Sequence, residues 1–441
     1  MAHCISRTQT RSTDEISERT IGETPAEKIK TEGNDGVSTG IQEGDFPDGG
    51  LRAWLVIVGT MCGTFSTFGL INAWGVFQAY YEETLLYDSD PSTIAWIGSV
   101  QYALVFMPGL VTGRMFDIGH FKVPFMLASI LLVVATFLVA ECSQYWHFLL
   151  CQGFAVGMAC GSIFGPCIGT VGHWFRRRRG IAMGLMASGA SIGGTVFPIA
   201  ARKLIDAVGF PWTMRIIGFI LVVGLGIANL TMKRRLPPVN SPGGILNLSA
   251  FKSAPYAIWC LSTFIAFLGL YTVLTYIGVS ATAYGVSPDV AFYLVSIVNA
   301  SSGIGRIVSG ICVDRLGALN YLGPMTIIAG LLTYAWPFAR SLAAMIAVAV
   351  IYGFSSGAYI SCFLIPMIEL GEISDIGRRT GMAFSIAAFG AVAGPPISGA
   401  INTATGGFEA MGYYAGSAVM LAVILMYVAR YLLVGTLRGR F

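Results

Sequence analysis

Apolar runs of about twenty residues, divided by short polar breaks, fill the chain from residue 53 to residue 434. A run of that length crosses the hydrocarbon core of a bilayer as one helix. Twelve such spans are predicted, at 53–80, 92–114, 122–140, 146–171, 180–200, 212–232, 254–280, 288–312, 319–339, 342–366, 380–402 and 411–434. Several contain Gly and Pro, which membrane helices tolerate because neighbouring helices satisfy the freed backbone groups. Residues 1–46 break the pattern. They are polar, acidic on balance and poor in large apolar side chains, so a disordered tail is expected, with no cleavable signal peptide.

The apolar pattern also repeats itself. Gly153, Phe154, Gly157 and Pro166 recur 200 residues on as Gly353, Phe354, Gly357 and Pro366. Gly180, Ala182, Ala187, Gly189, Ala190 and Gly193 recur as Gly381, Ala383, Ala388, Gly390, Ala391 and Gly394. A Gly-x-x-x-Asp turn stands at Gly113/Asp117 and again at Gly310/Asp314. Three elements repeating in one order imply a duplicated unit, and duplicated bundles around a central site are how many secondary transporters are built. The reading is an all-α integral membrane protein of twelve helices in two pseudo-symmetric six-helix bundles. Its expected parts are a tail (1–46), a first bundle (47–232), a Pro- and Gly-rich linker (233–253), a second bundle (254–435) and a C-terminal segment (436–441).

Composition agrees: 55% of residues are hydrophobic, only 11% are charged, and mean hydropathy is +0.70. Soluble domains carry about a quarter charged residues. The few charges are placed unevenly. Arg114, Lys122, Arg176 to Arg179, Lys233 to Arg235, Lys252, Arg315, Arg378 and Arg379 fall in alternate loops, and Glu82, Glu83, Asp88, Asp90, Glu141, Asp289 and Glu409 fall in the others. Arg202, Lys203 and Arg340 are exceptions. The positive-inside rule then puts the Arg-rich loops and both termini in the cytosol. Asn229 and Asn247 match the glycosylation pattern but fall on that side, so both are expected to be unused. The plasma membrane is the expected location, with the vacuolar membrane as the alternative.

The nine Cys and four His show no ligand spacing, and no paired carboxylates or nucleophile–base pair lie near the membrane plane. No metal, cofactor or enzymatic activity is expected. The implied partners are a small-molecule substrate and the bilayer, with no nucleic acid, and the oligomeric state is open.

Twelve spans in two halves, with Gly-x-x-x-Asp turns after spans two and eight, resemble the major facilitator superfamily. Two motifs resemble its monocarboxylate-transporter family, most closely the fungal branch: Asp48-Gly49-Gly50-Leu51-Arg52-Ala53-Trp54 at span one, and His173-Trp174-Phe175-Arg176 through Ala182 to Ser188-Gly189-Ala190 at span five. The resemblance covers roughly 47–435. It implies that Asp117 faces the start of span eleven, near Thr380, and that Asp314 faces the start of span five, near Gly180. A carboxylate there meets the positive end of a helix dipole and its free N–H groups. Gly113, Asp117, Gly310, Asp314 and Arg315 would then form a conformational latch. Ile118 stands where the family's first copy has Arg or Lys.

Arg306 is the sharpest candidate for substrate binding. It lies inside span eight, where a charge is costly and faces a cavity or a partner. Asn299, Ser302 and Arg306 share one helix face, and a guanidinium suits bidentate capture of a carboxylate. The resemblance implies the same role for an Arg at this point. It also implies a proton-carrying Asp and Lys, but here those positions hold Ser302 and fall on or beside Asn72. Asn72, Gln101, Tyr271 and Tyr276 are further candidates for the cavity wall, with Phe68, Trp74, Tyr359 and Phe389 as stacking surfaces. The functional reading is a secondary transporter of a small organic solute, a monocarboxylate or other anionic or aromatic metabolite, working by alternating access and exporting a secondary metabolite. The alternatives are proton-coupled uptake of a monocarboxylate or vitamin, and a non-transporting sensor of the same fold.

Overall fold

The computed structural model describes residues 46–238, 244–370 and 376–436. Among these residues, eleven helices are long and apolar enough to cross a membrane. The longest, Arg179–Thr231, has 53 residues, about 80 Å at 1.5 Å per residue. That is more than twice a hydrocarbon core of about 30 Å. It breaks at Gly209, whose φ of 81° and ψ of 166° are not helical. It therefore makes two crossings, and the twelve expected spans are present.

The spans are labelled α1 (Leu51–Leu85), α2 (Thr93–Asp117), α3 (Lys122–Val139), α4 (Tyr145–Trp174), α5 (179–208), α6 (210–231), α7 (Ala254–Ala283), α8 (Pro288–Leu316), α9 (Ala318–Phe338), α10 (Leu342–Met367), α11 (Ile376–Thr405) and α12 (Phe408–Val434). The sequence placed a loop at 201–211; the helix instead runs on to residue 208. The expected tail lies outside the described residues except for Phe46, which is buried rather than solvated. The C-terminal residues 437–441 and the linker residues 239–243 also lie outside them.

Glycine sets which helices touch. A Cβ on Gly180 would fall 2.5 Å from the Gly310 carbonyl oxygen, and one on Gly113 would fall 2.5 Å from that of Gly377. No side chain fits there, so the backbones of α5 and α8, and of α2 and α11, approach directly. Farther along α5, Gly189 and Gly193 receive the Met61 and Phe65 carbonyls of α1. Gly390 and Gly394 of α11 receive those of Phe264 and Leu268 on α7. Each of the two repeated Gly-rich helices thus has one small-residue stretch packed within its own half and another packed across to the other half.

Candidate functional site

At the Arg-rich ends of the helices, two carboxylates reach across between the halves. Asp314 accepts hydrogen bonds from the backbone N–H of Gly180 at 2.7 Å and of Ile181 at 3.0 Å. Asp117 accepts from Gly377 and Arg378, both at 3.2 Å. Each carboxylate therefore caps a helix N-terminus that has unsatisfied N–H groups and a favourable dipole. For Asp314 the partner is the one expected. For Asp117 the capped N–H groups are those of Gly377 and Arg378, three and two residues before Thr380, near which the helix start was expected. Arg315 is exposed and makes no hydrogen bond or ion pair among the described residues, so it stands apart from this cluster.

Arg234, one of the cytosolic-loop charges, completes the Asp117 corner. Its Nη2 donates to the Asp117 carbonyl at 2.8 Å, and its guanidinium lies 5.5 Å from the Phe116 ring centre. Half-burial lowers the Arg234 pKa and the Asp117 carboxylate pulls it back up. A guanidinium is so strongly basic that it stays charged even so. This linker cation braces the corner where Ile118 supplies none.

Asp48 is a further anchor that the motif alone did not explain. Its Oδ1 accepts from the backbone N–H of Arg176 and Arg177 at 2.7 Å and of Arg178 at 3.2 Å. Its own N–H donates to the Trp174 carbonyl at 3.2 Å. The chain ahead of α1 is thereby clipped to the turn between α4 and α5.

Above these caps, about 12 Å into the membrane at eight residues of helix, lies a cavity shared by both halves. Asn72, Asn299, Ser302 and Arg306 all line it. Tyr271 and Phe68 do as well. Gln101 does not: it is buried, with its backbone against the position where a Gly157 side chain would be. Tyr276 also lies outside the wall and donates to the Pro395 carbonyl at 2.9 Å. Trp74 packs over Gly98, Tyr359 stacks on Phe363, and Phe389 is 58% exposed on the flank. The reason is common to these residues. A helix that is apolar all round does not declare from its pattern which side faces the interior.

The sequence also missed an aromatic floor. Phe106 of α2 and Phe384 of α11 stack with ring centres 6.0 Å apart, and Phe164 and Phe363 meet Phe384 at 5.1 and 5.7 Å. A signal was available: Phe106 and Phe384 each sit one turn deeper than a contact glycine, Gly109 and Gly381, on the face that crosses between the halves.

Arg306 is buried, and its Nη1 donates to the Ala187 carbonyl of α5 at 2.6 Å. Its Nε has no hydrogen-bond partner among the described residues. Ion pairs among those residues join Arg202 to Asp289, Arg215 to Glu141 and Arg340 to Glu409, and none of these involves it. Asn299 likewise donates to a carbonyl of α5, that of Gly194, at 3.3 Å. The α5–α8 seam is thus tied from end to end: Asp314 to Gly180, Arg306 to Ala187, Asn299 to Gly194, and Arg202 to Asp289 at 2.5 Å.

Comparison with known proteins agrees with this architecture. The Major Facilitator Superfamily profile matches residues 56–367 and 259–436. The chain is 37% identical over 394 residues to the MFS transporter asaE of Aspergillus flavus, covering 88% of this chain and 89% of that one. It is 35% identical over 387 residues to the aspyridones efflux protein apdF of Emericella nidulans, covering 87% and 79%. Among solved structures, the human organic anion transporter MFSD10 (TETRAN) superimposes with a TM-score of 0.67 at 15% identity, covering 85% of this chain and 98% of that one. At that identity the likeness concerns the fold.

Proposed function

The chain belongs to the major facilitator superfamily and is a membrane transporter of a small molecule, and from that premise we propose that it exports an anionic, aromatic secondary metabolite held by Arg306. One observation carries the proposal: among the residues lining the cavity, Arg306 is the only charged one. A buried guanidinium without a counter-charge is costly. A substrate carboxylate or enolate would supply the missing charge and accept from the unused Nε–H. The tyrosine and phenylalanine rings on the wall offer faces for a planar substrate. The efflux function named for the Emericella relative supports the outward direction.

The same wall bears on energetics. No Asp, Glu, His or Lys lines it among the described residues, so the proton relay of the monocarboxylate-transporter family has no carrier at its usual positions. The substrate's own charge can drive the step instead. One charge crossing the membrane potential is worth about 2.3 kcal/mol per 100 mV, and an inside-negative potential drives an anion outward. The two motifs at Asp48 and His173 support the finer placement near the fungal monocarboxylate-transporter-like branch.

In this reading the bundles 47–232 and 254–435 rock about the site, with both termini cytosolic in the plasma membrane. Asp117 and Asp314 latch the cytosolic side. An anion that engages the Nε–H of Arg306 shares the guanidinium with the Ala187 carbonyl, so the substrate sits on one tie of the α5–α8 seam. The export reading is tested by untargeted comparison of medium and cell extract with and without the gene. An anionic aromatic compound should accumulate inside and fall outside on deletion. Unchanged distribution of every such compound would contradict it.

A further inference from the structure

A second recess lies on the membrane-facing flank between α3 and α6, away from the transport cavity. Met126, Ile130 and Val134 form one side, and Val222, Leu225 and Gly226 the other. Gly226 helps to make it a recess, since a Cβ there would meet nothing within 4 Å. From Met126 to Val134 the groove runs about 12 Å at helical rise, most of one leaflet of a core about 30 Å thick.

The groove is not uniformly apolar. Ser129 and Asn229 also line it, and the Asn229 amide donates to the Ser129 hydroxyl at 3.0 Å and to the Leu225 carbonyl at 2.9 Å. At its Arg-rich end, the exposed Lys122 ammonium donates to the carbonyl of Asn229 and, at 3.2 Å, to that of Met232. These are the last carbonyls of α6, whose dipole favours a cation. An ammonium has three N–H donors, so one remains for an outside acceptor. Lys233, next in the chain, is exposed. Arg52 lies close enough to Lys122 for their charges to interact. Lys122, with Arg52 near it and Lys233 one residue beyond its Met232 acceptor, therefore stands at the end of an apolar channel on the membrane-facing flank.

We propose that this α3–α6 groove binds one anionic phospholipid, with its headgroup on Lys122, Lys233 and Arg52 and an acyl chain laid between Met126 and Val222. Basic sites between membrane helices at the interface suit such headgroups. A zwitterionic lipid fits the channel equally well but carries its own cation to the cluster. The choice between the two is electrostatic and rests on Lys122.

Native mass spectrometry of the full-length protein, offered equal amounts of phosphatidylserine and phosphatidylcholine with identical acyl chains, tests this. The wild type should retain phosphatidylserine at least fivefold over phosphatidylcholine, and Lys122→Gln should erase the preference. Gly226→Leu should reduce retention of both lipids at least fivefold, because the new side chain grows into empty space, while transport continues. Equal retention of the two lipids by the wild type would overturn the proposal. So would unchanged phosphatidylserine retention by Gly226→Leu, a result that stands even if Lys122→Gln fails to fold.

Discussion

Arg306 on α8 donates to the carbonyl of Ala187 on α5 at 2.6 Å, across the seam between the two halves of the molecule. The residue offered for substrate capture is therefore also a tie that holds the halves together. A ligand that accepts from the unused Nε–H shares this guanidinium with the opposite half. In the proposed reading, binding and motion meet at one side chain.

Arg306→Lys keeps the charge but loses the planar fork and the reach to Ala187. A charge-assisted hydrogen bond contributes about 1.5–3 kcal/mol, or roughly 10- to 150-fold. KM for an anionic substrate should rise within that range in vesicle flux, and maximal rate should change less.

Asp314→Asn leaves a neutral acceptor facing Gly180 and Ile181. Loss of a full N-cap costs about 1 kcal/mol, roughly fivefold in the balance between closed and open. Spin-label distances between the Arg-rich ends of α5 and α8 should show a larger open fraction. Asp117→Asn should do the same for α2 and α11, with a smaller effect because its hydrogen bonds are longer, at 3.2 Å.

Arg202→Gln breaks the tie at the other end of the seam. That pair is exposed, with Asp289 at 79%, and exposed ion pairs contribute about 0–1 kcal/mol. Transport should fall by less than about fivefold. The asymmetry is physical: half-buried or buried caps hold one face, while a solvated pair holds the other.

Gly310→Val places a side chain against the Gly180 carbonyl, with the backbone of Ile181 also in contact. Backbone cannot yield as a flexible side chain would. The variant should lose several degrees of thermal stability in detergent, and Gly310→Ala should lose less.

Much of this machine was legible in the sequence. The spans were visible because a bilayer demands about twenty apolar residues whatever the fold. The Asp caps were visible because the repeat carries them twice, at Asp117 and Asp314. Which side of each helix faces inward was not legible. Gln101 and Tyr276 were polar residues that packed elsewhere, while Phe106 and Phe384 looked like any membrane phenylalanine. Arg306 stood out as a charge, but its acceptor on Ala187 is a backbone carbonyl, which sequence does not mark. Asp48 and Arg234 were similarly obscured, since both act on backbone groups far away in the chain.

In the export proposal, Arg306 selects the cargo by its charge. This role is tested most directly in proteoliposomes by comparing flux of an aromatic carboxylate with that of its uncharged amide, for wild type and Arg306→Ala. The wild type should move the carboxylate at least tenfold faster, and the substitution should remove the preference while the protein stays folded. An undiminished carboxylate preference in Arg306→Ala would contradict this role.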